Sequence, residues 1–222
     1  ELPKIQDLAE CEEERLLKLW EGLGYYNRVR NMQEAAKTVM KEFDGELPSD
    51  YGELLKLKGI GSYTAGAVAS IAYHQPVPAV DGNVLRVITR VTEDSSDIMK
   101  QSVKTEIEKR LAEIIPADHA GQFNQALMEL GAIVCLPNGQ PLCGKCPWRS
   151  FCRARFHDKI SEIPVKTKAK ARKIQNRTVF VIRRLDKVIL HKRPAKGLLA
   201  GMYEFPNVEG TLSEEEALKW IK

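Results

Sequence analysis

The sequence predicts a mainly α-helical body followed by a short α/β segment. Apolar residues recur at helical spacing before residue 135, four of the five cysteines fall within 135–152, and β-branched runs begin near residue 178. Apolar residues make up 43% of the 222 positions, which is enough for a packed core and excludes wholesale disorder. No apolar run approaches the roughly 18–20 residues of a membrane span, so we expect no membrane partner.

The predicted helices are separated by glycine and proline signals. Two apolar stripes flank a glycine loop at 22–26, and Asp44-Gly45 ends the second of these helices. The helix expected near 62–73 is rich in alanine, which predicts a buried element. In chain order, helices are predicted within 12–43 in two pieces, near 54–57, at 62–73, from Asp81 onward, at 103–114 and at 123–134.

The character of the sequence changes after Cys152. Residues 165–184 carry eight Lys or Arg and no acid, a composition typical of a solvated linker. The β-branched runs that follow predict strands, and helix-forming residues return near the end of the chain. The predicted elements are strands at 178–182 and 187–190, a turn with a short strand at 197–206, and a helix at 213–221.

Charge and cysteine content restrict the class of protein. Lys and Arg number 34 against 30 Asp and Glu, so the net charge of +4 permits nucleic acid as a partner without requiring it. Cysteine usage is uneven, because one residue, Cys11, lies far from the other four. An odd number with one tight cluster indicates a metal or cluster site in a reducing compartment rather than a disulfide framework.

The four clustered cysteines are Cys135, Cys143, Cys146 and Cys152, separated by seven, two and five residues. Four thiolates so close in sequence can bind an iron–sulfur cluster or a zinc ion. Structural zinc more often uses two CxxC pairs, and only Cys143 and Cys146 form one. The spacing alone therefore favours the iron–sulfur cluster only slightly.

A Gly-containing turn at 57–61 lies between two predicted helices. Gly59 and Gly61 lack the Cβ atoms that would keep backbone N–H groups away from a phosphate, so this hairpin can bind DNA. An ordinary turn between two helices is the alternative. The stretch at 20–31 adds aromatic and Arg side chains around a Gly loop, which suits base stacking or, alternatively, a core with a solvated basic face.

The VDGNV sequence at 80–84 places Asp81 at the start of a predicted helix. The helix dipole and free N–H groups favour the carboxylate anion there. A negative charge close to DNA is useful when it faces developing positive charge, as on an oxocarbenium-like sugar. The alternative is an Asp that only caps the helix, which contributes about 1 kcal/mol.

Together, the hairpin, VDGN and four cysteines occur in the order of the helix-hairpin-helix DNA glycosylase superfamily. Within it, the sequence resembles the adenine DNA glycosylases of the MutY type from about Leu2 to Phe205. The matching segments are 20–31, 80–84, 123–127 and 197–206, and the last of these separates the adenine glycosylases from their relatives.

The resemblance implies hydrolysis of the N-glycosidic bond of adenine mispaired with 8-oxoguanine or guanine in double-stranded DNA. In that family the Asp of VDGN stabilises the sugar cation, so Asp81 takes this role and Asn83 orients it. Lyase relatives such as endonuclease III carry a catalytic Lys two residues after the second hairpin Gly, where this chain has Tyr63. Because Tyr cannot form a Schiff base, we expect β-elimination to be weak or absent.

The resemblance also implies the DNA contacts and the cofactor. Tyr25 matches a residue that wedges into the base stack, and Gln125 matches a position that contacts the flipped adenine. The four clustered cysteines match the ligands of a [4Fe–4S] cluster. Its loop presents basic residues to DNA, and the candidates here are Lys145, Arg149 and Arg153.

The expected organisation has four parts. Residues 1–120 form a six-helix-barrel helix-hairpin-helix domain, 121–155 an iron–sulfur cluster domain, 156–176 a basic linker, and 177–222 a partial Nudix-like domain that recognises 8-oxoguanine. We expect a monomer in the bacterial cytoplasm. The chain opens at Glu1 rather than Met, so we also expect it to be a fragment of a longer protein.

Four features depart from the family pattern. The first two cysteines are separated by seven residues rather than six, and Tyr203 stands where many members have Trp. No Glu of this chain matches the family's general acid, which lies upstream, and the chain ends before the segment expected to touch 8-oxoguanine. We therefore expect this chain alone to bind DNA weakly and to excise little adenine. The alternatives are a bifunctional endonuclease III-like lyase and a non-catalytic DNA-binding module with a zinc clip.

Overall fold

A computed structural model describes residues 1–167 and 171–221 of the chain. The chain divides into two compact units, Glu1–Lys168 and Ala169–Lys222. The first unit is helical and the second contains short strands and one helix. In the described part of the chain, no helix has the length and apolar character needed to cross a membrane.

The first unit contains the helices that the apolar periodicity predicts, together with two short ones that it does not. The unpredicted helices, α1 and α9, span six and four residues. The helices are α1 (Ile5–Glu10), α2 (Glu13–Leu19), α3 (Asn27–Glu42), α4 (Tyr51–Lys56), α5 (Ser62–Tyr73), α6 (Gly82–Thr92), α7 (Gln101–Ile114), α8 (Ala120–Glu129) and α9 (Arg153–Phe156). Single 3-10 turns occupy Ala117–His119 and Cys143–Lys145, and a π-helical turn, Leu130–Val134, extends α8.

Two apolar clusters hold these helices together. One joins α3, α4 and α5 through Val39, Leu54, Leu57, Ala65 and Ala69. The other surrounds α6, where its buried valines and leucine meet side chains of α7 and α8. Each fully buried Val or Leu contributes about 1.5–3 kcal/mol, so these clusters supply the main driving force for the helical unit.

Small residues let α5 lie very close to its neighbours. A Cβ on Gly121 of α8 would lie 2.9 Å from the Ser70 carbonyl oxygen of α5, and a Cβ on Gly66 would lie 2.2 Å from the Pro78 carbonyl oxygen. The second distance is too short for any side chain. The segment between α5 and α6 therefore rests directly on the α5 backbone.

The segment predicted to be a linker, 156–176, packs against the first unit as far as residue 167. Arg90 Nε donates to the Ile163 carbonyl oxygen at 2.7 Å, and the Ile98 N–H donates to the Val165 carbonyl oxygen at 3.1 Å. Ile163 is only 3% exposed. The sequence could not show that the backbone of this segment forms long-range hydrogen bonds, because their partners lie more than sixty residues away.

The second unit is built from antiparallel strand pairs. β1 (Arg177–Val179) pairs with β6 (Asn207–Glu209), β2 (Arg183–Arg184) with β3 (Lys187–Val188), and β4 (His191–Lys192) with β5 (Tyr203–Glu204). The last element is α10 (Glu214–Ile221). Phe180, which is 6% exposed, stacks on Trp220 of α10 with ring centroids 4.3 Å apart and so joins the helix to the strands.

The strands differ from the predicted ones in length. The runs expected at 178–182 and 187–190 each contain only one short strand, since β1 ends at Val179 and β3 ends at Val188, while β2 and β4 lie just beyond the runs. Backbone hydrogen bonds continue past the ends of these strands. The Phe180 N–H, for example, donates to the Pro206 carbonyl oxygen at 2.8 Å, beyond the end of β1. The strand β6 was not predicted. The Nudix-like identity of this unit stays a prediction, as does the four-part division of the chain.

Candidate functional site

Asp81 caps α6 and has hydrogen-bond donors on both carboxylate oxygens. One oxygen, Oδ1, accepts from the backbone N–H groups of Asn83 and Val84, each at 2.8 Å. The other, Oδ2, accepts from the side-chain amide of Asn83 at 2.8 Å. The helix N-terminus and these donors stabilise a carboxylate at this point and fix its direction. The predicted pairing of Asp81 with Asn83 is therefore present as a direct contact.

Arg86, one turn into α6, connects the hydrogen-bonded pair of Asp81 and Asn83 to the segment that carries the cysteines. Its Nη2 donates to Asn83 Oδ1 at 2.8 Å and to the Gly131 carbonyl oxygen at 2.7 Å, and its Nε donates to the Cys135 carbonyl oxygen at 2.8 Å. The side chain is 4% exposed, and burial lowers the pKa of its guanidinium below the usual range. Gly131 also packs on Asn83, since a Cβ there would lie 2.5 Å from Asn83 Cβ.

The sequence reasoning missed Arg86 and the equally buried Arg90, one turn further along α6. The available signal was two Arg residues four apart in a helix rich in Val, Leu and Ile, which places both on one face. Arg90 Nη1 donates to Cys135 Sγ at 3.3 Å and to the Leu136 carbonyl oxygen at 3.0 Å. The thiol of Cys152 in turn donates to the Arg90 carbonyl oxygen at 3.6 Å. The same helix thus carries Asp81 at its start and two contacts to the cysteines near its end.

All four clustered cysteines line one cavity. Its walls are otherwise apolar, with guanidinium groups at the edge, and the other lining residues include Val87, Leu130, Val134, Trp148, Ile160, Arg90, Arg149 and Arg155. Burial raises the pKa of the Cys146 and Cys152 thiols, so a bound cationic group is needed to hold them as thiolates at neutral pH.

The donor set of this cavity is four thiols, the number of ligands that either an iron–sulfur cluster or a structural zinc ion uses. Within residues 1–167 and 171–221, no group of three or more His, Cys, Asp or Glu side chains has the arrangement to hold a metal ion. A cluster places irons and sulfides between its thiolates and so separates them more widely than one zinc ion does. The four cysteines of the apolar cavity are therefore the residues that would hold either group, and Arg90 places a guanidinium donor near one of the sulfurs.

Tyr63 lies in the first turn of α5 and faces α8. Its side chain is 38% exposed, and its hydroxyl lies 3.9 Å from Met128 Sδ. Gln125 lies on α8, one turn before Met128. Its exposed side chain donates to the Gly121 carbonyl oxygen at 3.1 Å. The structure therefore links Tyr63 with the helix of Gln125, and that helix continues into the turn packed on Asn83.

The two glycines of the hairpin have different structural roles. Gly59 has a φ of +81°, and a Cβ on it would lie 2.6 Å from Asn31 Cβ of α3. Gly61 caps α5 in an extended conformation, and nothing lies within 4 Å of a Cβ built on it. Gly59 is thus required by the fold, whereas Gly61 leaves the start of α5 open to an approaching group.

Tyr25 projects from the loop between α2 and α3. Its backbone has a φ of +49°, which is uncommon for a residue with a side chain, and its side chain is 77% exposed. The loop is fixed by Trp20, whose indole N–H donates to the Gly24 carbonyl oxygen at 2.8 Å. The Arg28 guanidinium lies 4.8 Å from the Tyr25 ring centroid. A rigid loop therefore presents an aromatic ring to the surroundings.

The three basic candidates lie around the cysteines. Lys145 is in the 3-10 turn between Cys143 and Cys146, and Arg149 lines the cysteine cavity. Arg153 is 67% exposed and lies within 4.0 Å of Glu93. No contact described here assigns any of them to DNA, so that role stays a prediction.

Residues 1–116 match the family described as the HhH-GPD superfamily base excision DNA repair protein. The chain is also similar to proteins named adenine DNA glycosylase. Identity is 40% over 218 residues with one from Arabidopsis thaliana, covering 92% of this chain and 34% of the relative. Identity is 34% over 259 residues with one from Homo sapiens, which covers 96% of this chain and 47% of the relative. It is 34% over 221 residues with one from Buchnera aphidicola, which covers 99% of this chain and 61% of the relative. The chain thus spans between a third and three fifths of the length of these relatives.

Solved structures show the same helical architecture. The endonuclease III chain in a non-covalent complex with DNA is 31% identical to this chain and has a TM-score of 0.60. The match covers 70% of this chain and 71% of the endonuclease III chain. The structure of a thermostable thymine-DNA glycosylase is 25% identical, with a TM-score of 0.60 and coverage of 69% and 70%.

Proposed function

Because this chain belongs to the HhH-GPD superfamily of base excision DNA repair proteins, we propose that it is the glycosylase part of an adenine DNA glycosylase. Its reaction is hydrolysis of the N-glycosidic bond of adenine mispaired with 8-oxoguanine or guanine in double-stranded DNA. The observation that carries this proposal is Asp81, whose two oxygens are fixed at the start of α6 by Asn83 and Val84. The similarity to adenine DNA glycosylases supports the choice of base.

In this proposal Asp81 stabilises the sugar as the bond to adenine breaks. The departing base leaves positive charge on the sugar ring, and a carboxylate held in place lowers the energy of that state without having to reorganise. Asn83 keeps one carboxylate oxygen in position, and Arg86 holds Asn83 in turn. Adenine leaves with the electron pair of the broken bond and gains a proton, and water forms the new C–O bond at the sugar carbon and loses a proton, so that the sum is hydrolysis.

Tyr63 makes the proposed reaction a simple hydrolysis rather than a lyase reaction. A lyase needs an amine that forms a Schiff base with the sugar, and a phenol cannot supply one. The Tyr63 side chain is partly exposed beside α8, on the helix that begins at the hairpin. The natural protein that contains this chain should therefore leave an intact strand with a missing base.

Exposed groups on the same unit supply the proposed DNA contacts. The open start of α5 at Gly61, which follows the tight turn at Gly59, offers backbone N–H groups to a phosphate. Tyr25 wedges into the base stack and lowers the cost of extruding adenine, which Gln125 then contacts. The partner is duplex DNA with an adenine mispair, bound by a monomer in the bacterial cytoplasm.

We propose that Cys135, Cys143, Cys146 and Cys152 hold a [4Fe–4S] cluster. When bound, the cluster cross-links the loop between α8 and α9 and keeps its buried thiols as thiolates. Its role in this proposal is structural. Arg90 places an N–H group beside Cys135 Sγ. Its side chain also donates to the Ile163 carbonyl oxygen, and this hydrogen bond joins residues 156–167 to α6.

The test is a base-release assay on the natural gene product that contains this chain, since no Glu of the chain matches the family's general acid. Duplexes carry adenine opposite 8-oxoguanine, guanine or thymine, and a fourth carries thymine opposite guanine. Chromatography of the released bases should show adenine from the first two duplexes and little from the third. Release of thymine from the fourth duplex, with no adenine from the others, would overturn the proposal.

A further inference from the structure

We propose that Asn124, a buried residue of α8, is a positioning residue for the carboxylate of Asp81. It holds the backbone segment that leads into Asp81 and thereby sets where the catalytic charge lies. The importance for catalysis rests on the function proposed above, whereas the hold on the segment can be tested without catalysis.

Asn124 uses its side-chain amide to join three parts of the fold. Its Oδ1 accepts the Ala79 N–H at 3.0 Å, and its Nδ2 donates to the Val77 carbonyl oxygen at 2.9 Å and to Ser70 Oγ at 2.8 Å. The side chain is completely buried. Both amide hydrogens and the oxygen therefore have partners, which gives the amide a single orientation.

The segment that Asn124 holds has no regular backbone partners. Residues 74–81 lie between α5 and α6 and form neither helix nor strand. Buried backbone groups of such a segment need side chains or water to satisfy them, and Asn124 supplies one donor and one acceptor. Ala79 is 1% exposed and only two residues before Asp81, so a shift of its backbone moves the carboxylate directly.

The opposite side of the segment is held by α5. A Cβ on Gly66 would lie 2.2 Å from the Pro78 carbonyl oxygen, so the segment has no room to move toward that helix. On the far side of Asp81, Gly131 and Arg86 hold Asn83. The Asp81 carboxylate thus lies between two fixed points of the chain. The Asn124 amide supplies polar contacts to the one that precedes Asp81. Misplacing a catalytic group by about 1 Å can cost roughly 100-fold in rate.

The first experiment compares Asn124→Ala with Ser70→Ala in the full-length natural protein. Asn124→Ala removes all three hydrogen bonds, whereas Ser70→Ala removes one and leaves both contacts to the segment. Single-turnover excision with enzyme in excess gives a rate per bound duplex that does not depend on the folded fraction. We expect at least a 10-fold lower rate for Asn124→Ala, with duplex affinity within about threefold of wild type. Ser70→Ala should keep its rate within about threefold, although both variants lower the melting temperature.

A second variant displaces the same segment by a substitution in α5. Gly66→Ala leaves Asn124 unchanged but forces the Pro78 carbonyl away, so it should lower the single-turnover rate as Asn124→Ala does. Equal single-turnover rates for Asn124→Ala and Ser70→Ala would overturn the proposal.

Hydrogen exchange of the Asn83 and Val84 amides, which donate to Asp81, gives a readout without catalysis. Asn124→Ala should speed their exchange at least 10-fold relative to Ser70→Ala, and no difference would contradict the hold on the segment. If the wild-type protein releases no adenine, the proposed function is wrong. The exchange measurement then still decides whether Asn124 positions Asp81.

Discussion

At the scale of single residues, one carboxylate both caps a helix and carries the proposed catalytic charge. Asn caps helices as well as Asp does but carries no charge, so Asp81→Asn separates the two roles. We expect Asp81→Asn to fold with a melting temperature close to wild type and to bind the mismatched duplex. Its single-turnover excision rate should fall at least about 100-fold, because the sugar cation loses its fixed counter-charge.

The matched control for this substitution is Asp50→Asn. Asp50 is also a helix N-cap, since its carboxylate accepts the Glu53 N–H at 2.9 Å, but it belongs to no proposed site. Excision by this variant should equal that of wild type. If both variants lose activity equally, the effect of Asp81→Asn comes from helix capping rather than from charge.

The sequence predicts some of these residues and conceals others for a physical reason. Asp81 and Asn83 are two positions apart, so their contact is local and follows from the helix-start pattern. Arg86 bonds the carbonyl groups of Gly131 and Cys135, more than forty residues away, and such contacts exist only after α8 has packed on α6. The sequence does not predict the role of Asn124 either, because two of its partners are backbone groups of a distant segment.

At the scale of the elements, the hairpin separates a structural glycine from a binding glycine. Gly59→Ala places a Cβ against Asn31 at a positive φ, so it should lower the free energy of unfolding by more than about 1 kcal/mol. Gly61→Ala meets no neighbour and should change stability by less than about 0.5 kcal/mol. It should nevertheless weaken duplex binding, because its Cβ keeps a phosphate away from the start of α5. Denaturant unfolding and fluorescence anisotropy measure the two effects, and unchanged affinity in Gly61→Ala would contradict the phosphate contact.

The end of α6 is joined to the segment after the cysteines by Glu93. Hydrogen bonds from Lys159 and His157 lower the pKa of Glu93 from 4.5 to about 2. A carboxyl group with a depressed pKa stabilises the fold above its ordinary pKa and loses that contribution as the pH falls toward the folded value. The melting temperature of wild type should therefore exceed that of Glu93→Gln above pH 4.5, and the difference should shrink between about pH 4.5 and 2.

The control for Glu93 is Glu106→Gln, which removes an exposed carboxylate paired with Arg110 on the same helix. This variant should differ little from wild type at any pH, as expected of a solvent-screened pair. A constant difference between wild type and Glu93→Gln across the whole range would show that the charge of Glu93 is not what stabilises the segment.

Among the elements, length and locality decide what the sequence can predict. The long helix α5 has the bounds that its alanine-rich pattern predicts, because helix hydrogen bonds are local. Strand β1 pairs with β6 about thirty residues later, and this register depends on the turn and helix between them. The short helix α9 and the packing of 156–167 likewise depend on contacts with α6.

At the scale of the whole molecule, the proposed cluster stabilises one region rather than the entire helical unit. Cys146→Ala should lower the iron and sulfide content of protein purified without oxygen and weaken duplex binding. The α3, α4 and α5 cluster shares no residue with the cysteine cavity, so most of the helical circular dichroism should remain. Cys11→Ala, at the cysteine outside the cavity, should retain full iron content and colour. Full iron in Cys146→Ala, or one bound zinc in wild type, would contradict the cluster.

The measurement that tests the account most directly follows strand breakage by the natural protein that contains this chain. A labelled duplex with adenine opposite 8-oxoguanine is incubated with the protein, and the products are separated with and without alkali. Asp81 and Tyr63 together predict breaks only after alkali, since the base is removed and the strand is left intact. Breaks without alkali would show lyase chemistry and contradict the assigned role of Tyr63. A bound duplex that stays intact even after alkali would contradict the catalytic role of Asp81.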